Sequence, residues 1–300
     1  MSDWIIALEG TEAGHHLAMV LALTAAFLHA VFGSLQKGRH DPWITRGVID
    51  FWMVLLSAPF ALFAVPWPQG GQWVLLLGVM AIHFVYKAGM ALAYSRGAFT
   101  VVYPVVRGSG ALFTVLGAWV FFGERFTVWQ WSGVAVLCAG IFGLAGYNMR
   151  KVVVARETLL AALGLAVLTG VMTAIYTTYD AYVIRVMPDP FTFLAWFFFL
   201  SSIDFALIGA WRWRRAQSVP EAGRLVLRGA LGAVIAFGSF GGVMLATRLG
   251  NVGEAAVMRE TSTVFAAIIG WVVLKEAVGP RRLALMILIA AGAVIVEAGG

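Results

Sequence analysis

The sequence predicts an all-α integral membrane protein of ten transmembrane helices, arranged as two inverted five-helix repeats. Three observations predict it: a composition too apolar for a soluble domain, ten apolar runs of spanning length, and a self-similarity at a shift of 152 residues. The chain is 61% hydrophobic and 12% charged, against roughly 25% charged in an ordinary soluble domain. A soluble fold would have to expose that excess; a bilayer supplies an apolar solvent for it.

A spanning helix needs about 20 mostly apolar residues. In lipid an isolated strand or loop leaves its backbone polar groups unsatisfied, so each long apolar run reads as helix. The segment 1–16 precedes the first run. It carries Asp3, Glu9 and Glu12 without a lysine or arginine, so it lacks the basic start of a cleaved signal peptide. Trp4, Ile5, Ile6 and Leu8 suit a short interfacial helix there. The predicted spans are 17–35, 47–65, 72–94, 98–121, 128–147, 158–179, 191–211, 225–247, 252–273 and 281–298.

Their boundaries have local causes. Pro66-Trp67-Pro68 and Gly70-Gly71 end the second span, and Pro188-Asp189-Pro190 precedes the seventh. The polar connector Arg212 to Arg224 leads into the eighth. Pro280 suits the first turn of the tenth, where its missing N–H costs nothing.

Connectors after the odd-numbered spans hold fifteen basic residues: Lys37, Arg39, Arg46, Arg96, Arg150, Lys151, Arg156, Arg212, Arg214, Arg215, Arg224, Arg228, Lys275, Arg281 and Arg282. The opposite side holds only Arg125, Arg185 and Arg248. The positive-inside bias places the odd connectors in the cytoplasm and both termini outside. The net charge of +6 is therefore a topology signal. It forms no basic stripe for nucleic acid.

The repeat is read by laying Phe113–Gly140 on Phe265–Gly292. Phe113 meets Phe265, Trp119 meets Trp271, Val120 meets Val272, Glu124 meets Glu276, and Gly140 meets Gly292. Upstream, Arg107 meets Arg259, and Gly97 meets Gly250 with one residue of slack. Ala30-Val31-Phe32 matches Ala174-Ile175-Tyr176 more weakly. The expected organisation is a periplasmic segment 1–16, a first repeat 17–150 and a second repeat 151–300. Five spans per copy is an odd number, so the second copy enters from the opposite side.

Ten spans, a five-plus-five repeat and a Trp-x-x-x-x-Glu ending the fourth and ninth spans (Trp119 to Glu124, Trp271 to Glu276) resemble the drug/metabolite transporter superfamily in its EamA-like branch. The resemblance covers nearly the whole chain. It implies a multi-pass protein of the bacterial inner membrane that exports amino acids or related metabolites. The aromatic content is similar to that of the aromatic amino-acid exporters of that branch. The two repeat glutamates are expected to cap or brace short turns.

Charged groups in hydrocarbon cost about 3 kcal/mol each on insertion scales, so they need partners or water and are informative. The third span puts His83, Lys87, Met90 and Tyr94 on one helical face, with Tyr86 beside it. Lys87 either lines a site, snorkels to the interface or joins an ion pair. The fourth span offers Tyr103, Arg107, Gly110 and Thr114, with Pro104 expected to kink it. The ninth repeats the idea with Arg259 and Glu260, followed by Thr261, Ser262 and Thr263. The two arginines suit bidentate capture of a substrate carboxylate; the alternative is that Glu260 neutralises one of them between helices.

Tyr176, Tyr179, Thr173 and Thr177 of the sixth span, with Asp180 at its outer end, complete the polar side. Tyrosines pair an apolar face with a hydroxyl, as a ligand with a greasy body and polar head requires. The eighth span answers with Ala236, Phe237, Gly238, Ser239 and Phe240, an apolar wall. His29, His83 and Glu260 are candidates for handling protons. The expected ligand is a small molecule, an amino acid with a large apolar side chain, bound near the midplane by alternating access.

Other functions fit less well. Buried base outnumbers acid in this reading, which disfavours lipophilic cations. Gly108-Ser109-Gly110 with His83 suggests a Ser–His enzyme only superficially, since Gly-Ser-Gly also suits tight helix packing. The lone Cys138 reads as a packing residue. No cofactor, metal cluster or phosphate-binding loop is expected, which leaves no basis for an ATP-driven pump.

Overall fold

The computed structural model describes residues 2–36, 40–96, 99–150, 156–272 and 279–300. Lys37, Arg39, Lys151 and Lys275, with the repeat positions Gly97 and Glu276, lie outside the described residues. Every regular element among the described residues is helical: α1 (Asp3–Ile6), α2 (Glu12–Gln36), α3 (Pro42–Pro59), α4 (Gln72–Arg96), α5 (Phe99–Phe122), α6 (Val128–Met149), α7 (Arg156–Val186), α8 (Pro190–Arg215), α9 (Ala222–Leu249), α10 (Val252–Glu260), α11 (Ser262–Val272) and α12 (Pro280–Ala298). Eight of them are long and apolar enough to cross a membrane. The chain is a multi-pass membrane protein.

Helix starts follow from their caps. Asp41 accepts from Trp43 N at 2.7 Å, with Pro42 in the first turn of α3. Asp189 does the same for α8, accepting from Thr192 N at 3.0 Å ahead of Pro190. Thr127 and Gln130 form a reciprocal capping box at α6. Pro59 removes one backbone donor near the end of α3, and the chain widens there into a π-helical turn, Phe60–Ala64. The expected helix near Trp4 is the short α1, which buries Ile5 completely.

One predicted span is corrected. The run 252–273 is two helices, α10 and α11, parted at Thr261. There Thr261 N donates to Met258 O at 3.1 Å and the hydroxyl to the same oxygen at 2.7 Å. Side-chain bonding back to the preceding turn competes with the regular ladder, and five consecutive polar residues, Arg259 to Thr263, sit at this point. The tenth predicted span, α12, has 19 residues and carries Arg281, Arg282 and Glu297 towards its ends.

Three helices pack on their counterparts five spans along: α3 on α8, α6 on α12, and α5 on α10. Two further sets of contacts match. α4 packs on α7 as α9 does on α2, and α5 packs on α7 as α10 and α11 do on α2. The α6–α12 crossing repeats in atomic detail. A Cβ on Gly292 would lie 2.5 Å from Leu137 N and 2.6 Å from Gly133 O. One on Gly140 would lie 3.0 Å from both Ile289 N and Leu285 O, the same positions shifted by 152 residues.

Candidate functional site

A cavity of about 270 Å³ opens within the bundle, walled by α2, α3, α4, α5, α7 and α9. Its apolar surface comes from Phe32 and Phe240, and its amphipathic surface from Tyr86, Tyr94 and Tyr103. Phe240 supplies the apolar wall expected of the eighth span. The lining runs to His40, Pro42 and Thr45 beside the α2–α3 connection, at the end of the bundle that carries most basic connectors. Of the candidate residues, His29, Tyr86, Lys87, Tyr103 and Arg107 line it. His29 also hydrogen-bonds Ser239 Oγ through Nδ1 at 3.2 Å and packs edge-on against Phe240.

Arg107 is buried, and it reaches α10 where that helix ends. Its Nε lies 2.8 Å from Glu260 Oε2, and its Nη2 donates to Arg259 O at 3.2 Å and Ser262 Oγ at 3.3 Å. The break at Thr261 is what frees the Arg259 carbonyl to accept. Nη1 makes no hydrogen bond among the described residues and remains uncommitted at the cavity wall. Glu260, fully buried, also faces Arg259 Nε at 3.7 Å. The protein's own carboxylate thus sits between the two repeat-related arginines. Arg259 continues to Thr177 Oγ1 at 3.3 Å.

Lys87 neither snorkels nor presents a free amine. Its Nζ lies 2.9 Å from Asp50 Oδ2 and 2.5 Å from Asp204 Oδ1, and it donates to Ser201 O. Arg46 Nε completes the group at 2.8 Å from Asp50 Oδ1. The structural ion pair is the reading the geometry selects, and only the Lys87 stem serves the cavity.

His83 stands one ring behind the cavity. Its Nε2 lies 2.7 Å from Asp180 Oδ2. The rings of Tyr176 and Phe197 are 4.7 and 4.9 Å from it, and Tyr86 separates it from the cavity. Tyr179 is not brought to this site. It donates to Leu75 O at 3.3 Å and lines an apolar groove of about 540 Å³ between α5 and α7. Ser109 bends back onto Val105 O at 2.6 Å, away from His83, and fits against Gly170 where α5 crosses α7.

The sequence reading missed Asp50 and Asp204 and left Asp180 at a helix end. The available signal was charge within an apolar run, which was weighed for bases but not for acids. Including them corrects the expected excess of base. Around the cavity Arg46, Lys87, Arg107 and Arg259 face Asp50, Asp180, Asp204 and Glu260. With both histidines neutral, the fixed charges of the wall cancel.

The opposite end of the bundle is closed by two arginines that exchange helix ends. Arg185, near the end of α7, donates to Thr247 O and Gly250 O of α9 and its cap, both at 2.9 Å. Arg248, near the end of α9, donates to Ile184 O and to Met187 O at the end of α7, the latter at 2.9 Å. Each cation satisfies carbonyls that a helix terminus leaves open. Glu9 pairs with Arg248 at 2.6 Å. Glu124 accepts from Val252 N at 2.7 Å and Gly253 N at 2.9 Å, so it braces the start of α10.

The sequence profile of the EamA-like transporter family matches residues 160–297. An uncharacterized protein, y4nH, of Sinorhizobium fredii is 41% identical over 128 residues, an alignment that spans 42% of this chain and 93% of that protein. A protein of known crystal structure shares the fold with a TM-score of 0.73 at 17% identity, covering 95% of this chain and 98% of the other.

Proposed function

Since this chain belongs to the EamA-like transporter family, we propose that it is a secondary transporter that exports amino acids with large apolar side chains. Members of the family carry small molecules across membranes. The observation that carries the substrate class is the cavity. It has an uncommitted guanidinium nitrogen on Arg107, aromatic rings opposite, and lining cations that are each paired with an acid behind them. A net charge entering a buried site whose ions are already paired loses hydration without compensation, whereas a zwitterion brings its own counter-charge. At about 270 Å³ the space falls just below the usual range of drug-sized ligand sites, about 300–1,000 Å³. That suits an amino acid better than a drug.

In this reading the carboxylate takes Arg107 Nη1, the ammonium sits among the tyrosine hydroxyls and ring faces, and the side chain lies against Phe32 and Phe240. Tyr176, Arg259 and Glu260 hold Arg107 and Tyr86 in place from behind. The chain is taken as two inverted copies, 17–150 and 151–300, in a bacterial inner membrane, with both termini periplasmic. The matched helix contacts and the repeated α6–α12 crossing support that arrangement. The cavity runs to the basic, cytoplasmic end while the arginine exchange closes the other, as alternating access around a central site requires.

Counterflow in proteoliposomes, with a panel of amino acids on the far side, tests the proposal. Phenylalanine, tyrosine, tryptophan or leucine should exchange, and the corresponding amines and amides should not. Exchange of quaternary ammonium compounds with none of the amino acids would replace it with a drug exporter.

A further inference from the structure

Resting on the transporter reading above, we infer that the His83–Asp180 pair is the proton-coupling site, exchanging one proton for each substrate molecule. Four acids stand around the cavity. Asp50, Asp204 and Glu260 are held by lysine or arginine side chains. Arginine does not give up its proton in proteins, and Lys87 is shared between two carboxylates. Asp180 is paired with a histidine, the side chain whose charge changes near neutral pH. His29, which lines the cavity directly, has a serine rather than an acid as its partner.

The placement suits coupling. Both side chains are at least nine-tenths buried, and Asp180 Oδ1 has no hydrogen-bond partner among the described residues. The pair lies behind Tyr86, a cavity residue, whose ring is 4.7 Å from that of Tyr176. The neighbouring Thr177 accepts from Arg259, which faces Glu260, which holds Arg107. A charge at His83 is therefore connected to the residue that anchors the substrate through the Tyr176 ring, Arg259 and Glu260. The groups around the pair are Tyr86 and Lys87 on α4, Tyr176 and Tyr179 on α7, and Arg259 and Glu260 on α10; α8 contributes the Phe197 ring, and its Asp204 is held by Lys87.

Charge accounting gives the direction. With the pair unprotonated the wall sums to zero; one proton taken from the adjoining water makes it +1. That charge arises beside Tyr86, among the hydroxyls that take the substrate ammonium, so proton and zwitterion exclude each other. The protein then carries one of them in each direction, which is antiport. The proton binds the pair when the cavity faces acid, stays while the cavity reorients, and leaves to water as substrate enters. No bond other than those to the proton forms or breaks.

The test uses the full-length protein in liposomes with the voltage clamped by valinomycin and potassium. Vesicles made one pH unit more acid inside should accumulate the substrate found by counterflow up to about tenfold, because each pH unit is a tenfold change in proton activity. His83→Gln, which leaves the wall at zero, should keep counterflow and accumulate nothing; Asp180→Asn, which leaves it at +1, should lose both. In wild-type protein in weakly buffered detergent, substrate addition should release about one proton per molecule bound, a readout independent of any variant's folding. Wild-type counterflow without gradient-driven accumulation, or without proton release, overturns the inference and leaves the transporter reading standing. So does accumulation by Asp180→Asn. Absence of counterflow with any amino acid overturns the reading beneath it.

Discussion

Arg107 and Lys87 are both buried cations lining one cavity, yet their surroundings give them different work. Arg107 keeps a nitrogen at the cavity wall, so Arg107→Lys retains the charge opposite Glu260 but loses the planar fork. Transport should fall by about tenfold or more, the size of one charge-assisted hydrogen bond, with the thermal midpoint in detergent little changed. Lys87 holds two carboxylates and offers nothing to a ligand. Lys87→Met should cost about 3–5 kcal/mol of stability, because it strands buried acids. Adding Asp204→Asn should recover part of that loss, since Arg46 can still neutralise Asp50. Thermal unfolding of the single and double variants measures both effects. The difference between these two residues was only half legible in the sequence. Arg107 and Arg259 stand out through the repeat, and Glu260 lies beside one of them. The partners of Lys87 are 37 and 117 residues away on other helices, and spacing along one helix carries no trace of them.

Among elements, the crossing of α6 on α12 depends on glycines where backbones nearly touch. Gly292→Ala would place a methyl group 2.5 Å from Leu137 N, inside any allowed contact, so the helices must separate. A loss of about 1–3 kcal/mol is expected for overpacking of this kind. Gly146→Ala on the same α6 meets nothing within 4 Å and should be neutral or stabilising by up to about 1 kcal/mol through helix propensity. Comparing the two by thermal unfolding separates backbone contact from helix preference. Helix positions were readable because an apolar run, a proline and a capping aspartate each act locally. The gap at Thr261 was not. The strongly apolar second half of 252–273 carries the whole run as one span, and the polar run Arg259 to Thr263 registers as a site before it registers as a break. Its cause is the Thr261 hydroxyl bonding back to Met258 O, together with Arg107 arriving from α5 to take the exposed carbonyl.

For the molecule as a whole, the decisive quantity is the balance between a cavity open at one end and a closure at the other. The closure is built from Arg185 and Arg248, each donating to the last carbonyls of the other's helix. Such contacts are local and few, while the pairs α3–α8 and α6–α12 are extensive and apolar. A transporter of this plan should therefore reorient by parting the ends of α7 and α9 and keeping the larger interfaces. Arg185→Ala with Arg248→Ala removes the four bonds donated between the ends of α7 and α9. At about 1.5–3 kcal/mol for each bond to a charged donor, even partial loss would shift the resting state by more than tenfold. The shift can be read with Thr173→Cys, deep in the cavity, in a Cys138→Ser background. In whole cells an impermeant thiol reagent applied outside should label Cys at position 173 slowly in the parent and much faster in the double arginine variant. A double variant that folds, transports and labels no faster would mean that the arginine exchange is an ornament of two helix ends and that the gate lies elsewhere.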